Sequence, residues 1–461
     1  MERGASRRAD FGHTTLTLGS FQENIAAAIL TRIRERRASH TASEGDRQRR
    51  SAAVAPAKLR EATFADFDHV SKLKERSDIV ADSLENWNRL WRRNPALAQS
   101  KVNRPIGWVL EADGQVVGYL GNISLQCRYG DRTLAAVASH GFAVDPPYRA
   151  VALSLASAFY RQKSVDLHIS TSAIEATGKI ALAFKCAALP QPDYSPVLFW
   201  VLRPYSFARA LMKKLNVSPL LSPMGSIFAA LAIGSDKILR RRWPRRPATQ
   251  LAVSEIRPDD IGNDFQTLWT EKLNERRRLY ADRTPAALRW HFEIPGDRGL
   301  ARVLCCRKEG KLCGYAVVRS DTDPKNGLRK SIIADMVATQ DDPAIIKALW
   351  VAAYEHARNA GSHILEVQGF PSDIRALSSD WHPYRRKYPA CPYYYKAADP
   401  ELHKALGDES AWYACPFDGD ATLIRPSYSR SAPNFTLEEP MEAAQNDVTV
   451  DLPESERTEV V

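Results

Sequence analysis

A chain of 461 residues exceeds what one hydrophobic core organises at roughly 100–200 residues per domain, so two or three domains are expected. Apolar residues make up 44% and charged residues 26%, which excludes a wholly disordered chain, and no run of about 20 uninterrupted apolar residues is present to span a bilayer. The net charge of +10 suits an anionic partner, yet much of it sits in residues 32–50 and in Arg240-Arg-Arg-Trp-Pro-Arg-Arg246. Neither run interleaves aromatics on a strand pattern as a base-stacking surface would, so DNA is not an expected partner. Seven cysteines show no CxxC pair and no Cys/His spacing suited to zinc. With an odd count and no secretory signal they predict free thiols, no metal and a cytoplasmic location.

In chain order, residues 1–56 read as a disordered basic tail with one amphipathic stretch, Phe21 to Ile33. Residues 57–203 read as a first domain. It holds a strand at Leu59, helices over 67–76 and 83–91, strands over 108–113 and 115–126 around the turn Asp113-Gly114, and a strand over 134–144. A helix over about 148–163, a strand over 166–171, a helix over 176–188 and a strand over 197–202 complete it. Residues 204–250 form an apolar and basic linker whose stretch Pro219 to Gly234 is too short and Pro-broken to cross a bilayer. It docks on the domains or makes weak peripheral membrane contact. Residues 251–428 repeat the first domain's order, with Thr284 before Pro285 as a helix N-cap. The run Tyr393-Tyr394-Tyr395, near Trp381 and His382, reads as a strand packed in the core or as a surface that stacks on a sugar. Residues 429–461 read as an acidic disordered tail.

The two domains are copies. Gly114-Gln-Val-Val-Gly118-Tyr119 recurs 196 residues on as Gly310-Lys-Leu-Cys-Gly314-Tyr315, and Pro147 recurs at the same offset as Pro343. The fold class expected is therefore α/β, two tandem units each on a mixed sheet. The copies differ where Arg149 has Ile345 as its counterpart and Asp341-Asp342 precede the proline, so the first copy is expected to work and the second to support it.

The chemistry-bearing segment is Phe142-Ala-Val-Asp-Pro-Pro-Tyr-Arg149-Ala-Val-Ala-Leu-Ser154, a strand joined to a helix through a Pro-bearing turn. A helix start favours an anion, because its first N–H groups are unpaired and the macrodipole is positive there. With Val144, Pro146 or Pro147, Tyr148 and Arg149, the segment resembles the acetyl-CoA site of the GNAT acyltransferase superfamily, whose strand runs into V-x-P-x-Y-R and a glycine-rich helix start. Ala152 and Ser154 stand at the two glycine positions. The resemblance covers residues 58–203. It implies two tandem GNAT-like domains and transfer of an acetyl or longer acyl group from coenzyme A to an amine, less often a hydroxyl, on a small-molecule or glycan acceptor such as an amino sugar or polysaccharide precursor.

It further implies that Phe142, Ala143, Val144, Arg149, Ala150, Val151, Ala152 and Ser154 hold the acyl-CoA, with the pantetheine between splayed strands at 141–144 and 168–171. A general base is needed, and His140 on the strand entering the motif is one candidate, because imidazole titrates in the useful range. Glu175, after the next strand, is the other. The family's usual acid for the leaving thiolate is a tyrosine, but Phe184 occupies that place, and Tyr160 reads as core. Two other readings stay open. One is a Fem-like transferase using aminoacyl-tRNA, to which the basic linker would lend phosphate contacts. The other is a non-catalytic binding module on the same fold.

Overall fold

Alternating apolar strands around Asp-Gly and Glu-Gly turns build the framework. In the computed structural model, which describes residues 55–98, 102–218, 220, 222–245, 251–293, 300–387, 393–420 and 422–423, both turns adopt positive φ at both central residues. Asp113 and Gly114 lie at 46° and 72°, Glu309 and Gly310 at 51° and 80°, the primed turn that matches the twist of a hairpin. These turns join β2 (Gly107–Ala112) to β3 (Gln115–Tyr129) and β10 (Ala301–Lys308) to β11 (Lys311–Thr322). The register slips by one residue at Leu110/Glu111 in the first hairpin and at Cys306/Arg307 in the second, again 196 residues apart. The readings of 1–56 and 429–461 as tails lie, but for residues 55 and 56, outside the described residues.

The fold is mixed α/β, built on two mixed sheets. The first runs β1 (Lys58–Glu61), β2, β3, β4 (Arg132–Val144), β5 (Leu167–Ser170), β15 (Tyr394–Ala397), β6 (Ala187–Ala188), with β9 (Leu279–Ala281) paired on β3. The second runs β14 (Tyr384–Lys387), β7 (Pro196–Val201), β13 (Ile364–Val367), β12 (Arg329–Ala338), β11, β10, β8 (Ala252–Ile256). Only β4/β5 and β12/β13 are parallel among the paired strands of each sheet.

The first sheet thus contains two strands from the second copy, β9 and β15, and the second sheet one from the first, β7. β15 pairs with β5 and with β6, and β7 pairs with β13 and with β14. The cores follow the exchange. Leu198, Trp200 and Leu202 pack with the second sheet's core, while Tyr393, Tyr395 and Ala397 pack with that of the first. Tyr394 and Tyr395 therefore open a strand at its expected place in the sequence, with Tyr393 just before it, but seated in the opposite sheet.

Helices close the faces. α1 (Phe67–Arg76) and α2 (Leu84–Trp91) precede β2, and Ser83 caps α2 by accepting from the Asn86 N–H. After the short α3 (Pro95–Ala98), the predicted helix over 148–163 needs correction. Pro146 and Pro147 open a 3-10 turn over Pro146–Val151, and α4 spans Ala152–Tyr160. Arg149 lies in that turn, so it precedes the first α-helical residue. The predicted helix over 176–188 also ends early. α5 (Glu175–Ala183) stops because Lys185 takes φ 63°, with Lys185 N–H on Leu182 O and Cys186 N–H on Ala181 O, and Ala187–Ala188 is strand instead.

The segment 204–245 folds as two helices, α6 (Pro204–Lys214) and α7 (Ser222–Leu239). The second copy adds α8 (Asn263–Leu273), α9 (Pro285–Phe292), α10 (Pro343–Asn359), α11 (Ser372–Ala376) and α12 (Pro400–Ala405), with Thr284 capping α9 from its hydroxyl. The described residues from Pro56 onward belong to one compact unit. Its six described cysteines are free, five of them buried.

Candidate active site

Strand β4 delivers the site. Its pairing with β3 runs Tyr119↔Ala143 and then Gly121↔His140, so β4 carries one extra residue at Gly141-Phe142, a bulge that bends the strand and leaves one residue out of the ladder. Gly141 takes φ 62°, and a Cβ there would stand 2.7 Å from Lys74 Cε, so both conformation and space require glycine. On the other side, the parallel pairing with β5 stops at Ala138↔Ile169. Beyond it the strands are linked by Ser139 Oγ donating to Ser170 Oγ at 3.0 Å. The strands therefore part after Ile169, and His168, expected in the parted region, is still paired with Val137. In the second copy the β11/β12 irregularity falls instead between Val317 and Val318, deeper in the sheet.

Behind the bulge lies a buried ionic cluster. His140 Nε2 is 3.1 Å from Lys74 Nζ and 3.2 Å from Asp82 Oδ2, and Lys74 Nζ donates to that same oxygen at 2.6 Å. His140 Nδ1 faces Asp420 Oδ2 at 3.6 Å. Asn86 Nδ2 donates to Asp82 Oδ1 at 2.8 Å. Thr171 and Ser172 hydroxyls donate to the two oxygens of Asp420 at 2.8 and 3.0 Å. Lys74 and His140 are 1% and 4% exposed, so these charges are balanced by one another rather than by water. Lys74 reaches the cluster because Val70, Leu73 and Lys74 share the buried face of α1. Asp420 comes from the far end of the second copy, on a segment clamped where Arg89 donates to Leu423 O and Arg319 to Thr422 O at 2.7 Å.

Burial and Lys74 both push the His140 imidazole down, but Asp82 and Asp420 outweigh them and its pKa rises. Burial pushes the Asp82 carboxyl up, and Lys74 and His140 overcome it and hold it well below the usual carboxylate range. The Nε2 atom can accept from Lys74 when the ring is neutral and donate to Asp82 when it is protonated. Because its folded pKa is raised, His140 stabilises the fold fully below its unfolded value near 6.5, and that contribution is lost as pH rises through the folded value. Urea midpoints of wild type and His140→Gln are expected to differ most at about pH 5 and to converge toward about pH 9. A gap that widens with pH would show the sign to be wrong.

The buried Tyr119 hydroxyl, beside this cluster, has no hydrogen-bond partner, whereas Tyr315, 196 residues on, donates to Asp335 Oδ2 at 2.8 Å. Asp335 also takes the buried Arg283 guanidinium. The equivalent tyrosine is thus satisfied in the second copy and unpartnered in the first.

The other residues named from the sequence fall as follows. Ala143 is buried and Phe142 and Val144 half-buried on β4, running into the turn. Arg149, Ala150 and Val151 are exposed, and Arg149 O accepts from Ala152 N–H. Ser154 Oγ donates to Val151 O at 2.7 Å, so that hydroxyl serves the turn itself. The turn is anchored where Arg76 donates two hydrogen bonds of 2.8 Å to Asp145. In the second copy the helix start is capped internally, Asp342 accepting from Ala344 N–H at 2.7 Å while Asp341 holds Lys272 and Arg278. Glu175 is the exposed first residue of α5 and pairs with Lys179 at 2.8 Å, and the carboxylates that meet His140 are Asp82 and Asp420 instead. Tyr160 stacks on Phe184 with centroids 5.2 Å apart, and burial, then Cys186, raise its pKa.

No family model matches the chain, and no curated protein matches it. Solved structures similar to it include GCN5-related N-acetyltransferases from Anabaena variabilis and from Kribbella flavida. The first is 10% identical with a TM-score of 0.47, covering 75% of this chain and 73% of that one. The second is 14% identical with the same score, covering 76% and 73%. What bears on chemistry is the geometry of the bulge and its buried cluster.

Proposed function

We propose that the chain is an acyltransferase that moves an acetyl or longer acyl group from coenzyme A to an amine, with the working site in the first copy. The observation that carries this reading is the parting of β4 from β5 at a bulge that runs directly into the Pro146-Pro147 turn, with an acid-base cluster buried behind it. Arg149 would hold the diphosphate by charge, small side chains at Ala150 and Ala152 leave the backbone approachable, and the thioester supplies the activated acyl carbon. The attacking amine must lose a proton as the C–N bond forms and the C–S bond breaks. His140, linked to Lys74, Asp82 and Asp420, is the group in this copy that can take one. An acceptor with an amino group, such as an amino sugar, fits that need.

Calorimetric titration of acetyl-CoA into the full chain is expected to show binding that weakens about tenfold to a hundredfold in Arg149→Glu, the loss of one charge-assisted contact set. Arg149 is exposed, so the variant leaves the core untouched. No heat from a folded wild-type chain would overturn the coenzyme A reading and favour a binding module.

A further inference from the structure

Helix α7 has two faces of opposite character. One is docked. Ser226 is buried, Ile233 packs against the small core of Phe199, Val201, Phe207 and Ile364, and Lys237 Nζ donates to Val201 O at 2.9 Å while lying 5.8 Å from the Tyr354 ring centroid. The other is apolar and exposed. Met224, Phe228, Leu231, Ile238 and Leu239 are 59%, 63%, 63%, 69% and 81% exposed. Residues 224, 228, 231 and 238 follow the helical repeat, so they form one stripe along the helix, whereas large apolar residues on a soluble surface are usually scattered singly.

The acidic residue of this helix is turned away from the stripe. Asp236 accepts from Arg242 and from the Tyr384 hydroxyl, each at 2.6 Å, and pairs with Arg240. The ends of the stripe are basic. Arg240 and Arg241 are exposed where α7 ends, and Lys213 is exposed before the connection from α6. Among the described residues no helix is long and apolar enough to cross a membrane, so a lipid partner could only take α7 lying flat. An apolar stripe with exposed cations at its ends, Arg241 and Lys213, matches a bilayer interface, with acyl carbons beneath and phosphates around.

We propose that this face of α7 is a docking surface for an anionic lipid bilayer, the stripe at Phe228 and Leu231 entering the headgroup boundary and the exposed Arg241 and Lys213 meeting lipid phosphates. The proposal is independent of the acyltransfer reading.

The test is flotation of the full chain with vesicles of phosphatidylcholine containing about a quarter phosphatidylglycerol, beside vesicles of phosphatidylcholine alone. The wild type is expected to float with the anionic vesicles and much less with the neutral ones. Phe228→Glu/Leu231→Glu should float about tenfold less or worse. Lys213→Glu/Arg241→Glu, at two exposed positions, should lose the preference for anionic vesicles and its salt sensitivity. A wild-type chain that stays at the bottom overturns the proposal, as do variants that float like wild type. A wild type that elutes as a dimer, breaks to monomer in Phe228→Glu/Leu231→Glu and never floats overturns it in favour of a second copy of this chain.

Discussion

Asp82→Asn is expected to destabilise the chain by about 3–5 kcal/mol, the cost of breaking a buried ion pair from one side. Lys74 Nζ lies 2.6 Å from the Asp82 carboxylate with neither side chain more than 7% exposed, and His140 leans on the same oxygen. Neutralising Asp82 leaves the buried Lys74 without its ion-pair partner and the His140 ring facing Asp420 alone. The pair itself is a weaker source of stability than its rupture suggests, because both ions were desolvated to form it. A Lys74→Met/Asp82→Leu double variant should therefore recover most of the loss, as its charges leave together. Urea midpoints of the wild type and the two variants decide the matter. A double variant no more stable than Asp82→Asn would mean that the packing around Lys74, and not its charge, dominates.

The second large effect concerns the exchanged strands. Residues 56–203 expressed alone lack β15, which fills the place between β5 and β6, and they carry β7 with no β13 or β14 beside it. Residues 204–461 lack β7 from between β14 and β13 in the same way. Each fragment bares unpaired strand edges and a strand with no sheet to join, Pro196–Val201 in the first and Tyr394–Ala397 in the second, which is the condition for aggregation. Each fragment alone is expected in the insoluble fraction, whereas the two expressed together should co-purify, since each supplies the strand that the other lacks. A monomeric 56–203 with a cooperative thermal transition would sink this expectation.

Much of the framework was legible. Asp113-Gly114 announced its hairpin because the primed turn needs positive φ, and Thr284 before Pro285 announced its helix because a hydroxyl there can accept from a free N–H. The exchange was not, because alternation tells a strand which face is apolar and says nothing of which sheet receives it. Val197-Leu-Phe-Trp-Val201 and Tyr393-Tyr-Tyr395 fit either sheet by pattern. At the site, His140 stood out as an imidazole on the strand entering the Pro-Pro turn. Its partners did not. Lys74 left one trace, a cation in step with Val70 and Leu73 on an apolar helix face, but Asp82 lies in a loop and Asp420 arrives from nearly three hundred residues away, and neither spacing nor composition ties them to His140. The turn at Pro146-Pro147 was misjudged because two prolines in succession remove the first amides an α-helix would offer, and the tighter 3-10 turn takes their place.

The exchange of β7 and β15 also has a bearing on how the chain is born. At roughly 5–20 residues per second, on the order of ten to forty seconds separate the emergence of β5 from that of β15. During that interval the nascent first sheet has a vacant slot beside β5, and β7 waits without a sheet to join. Neither half can finish before the ribosome has nearly completed the other, so in the living cell the two copies mature as one event, and Asp420 reaches His140 only once both copies have been made.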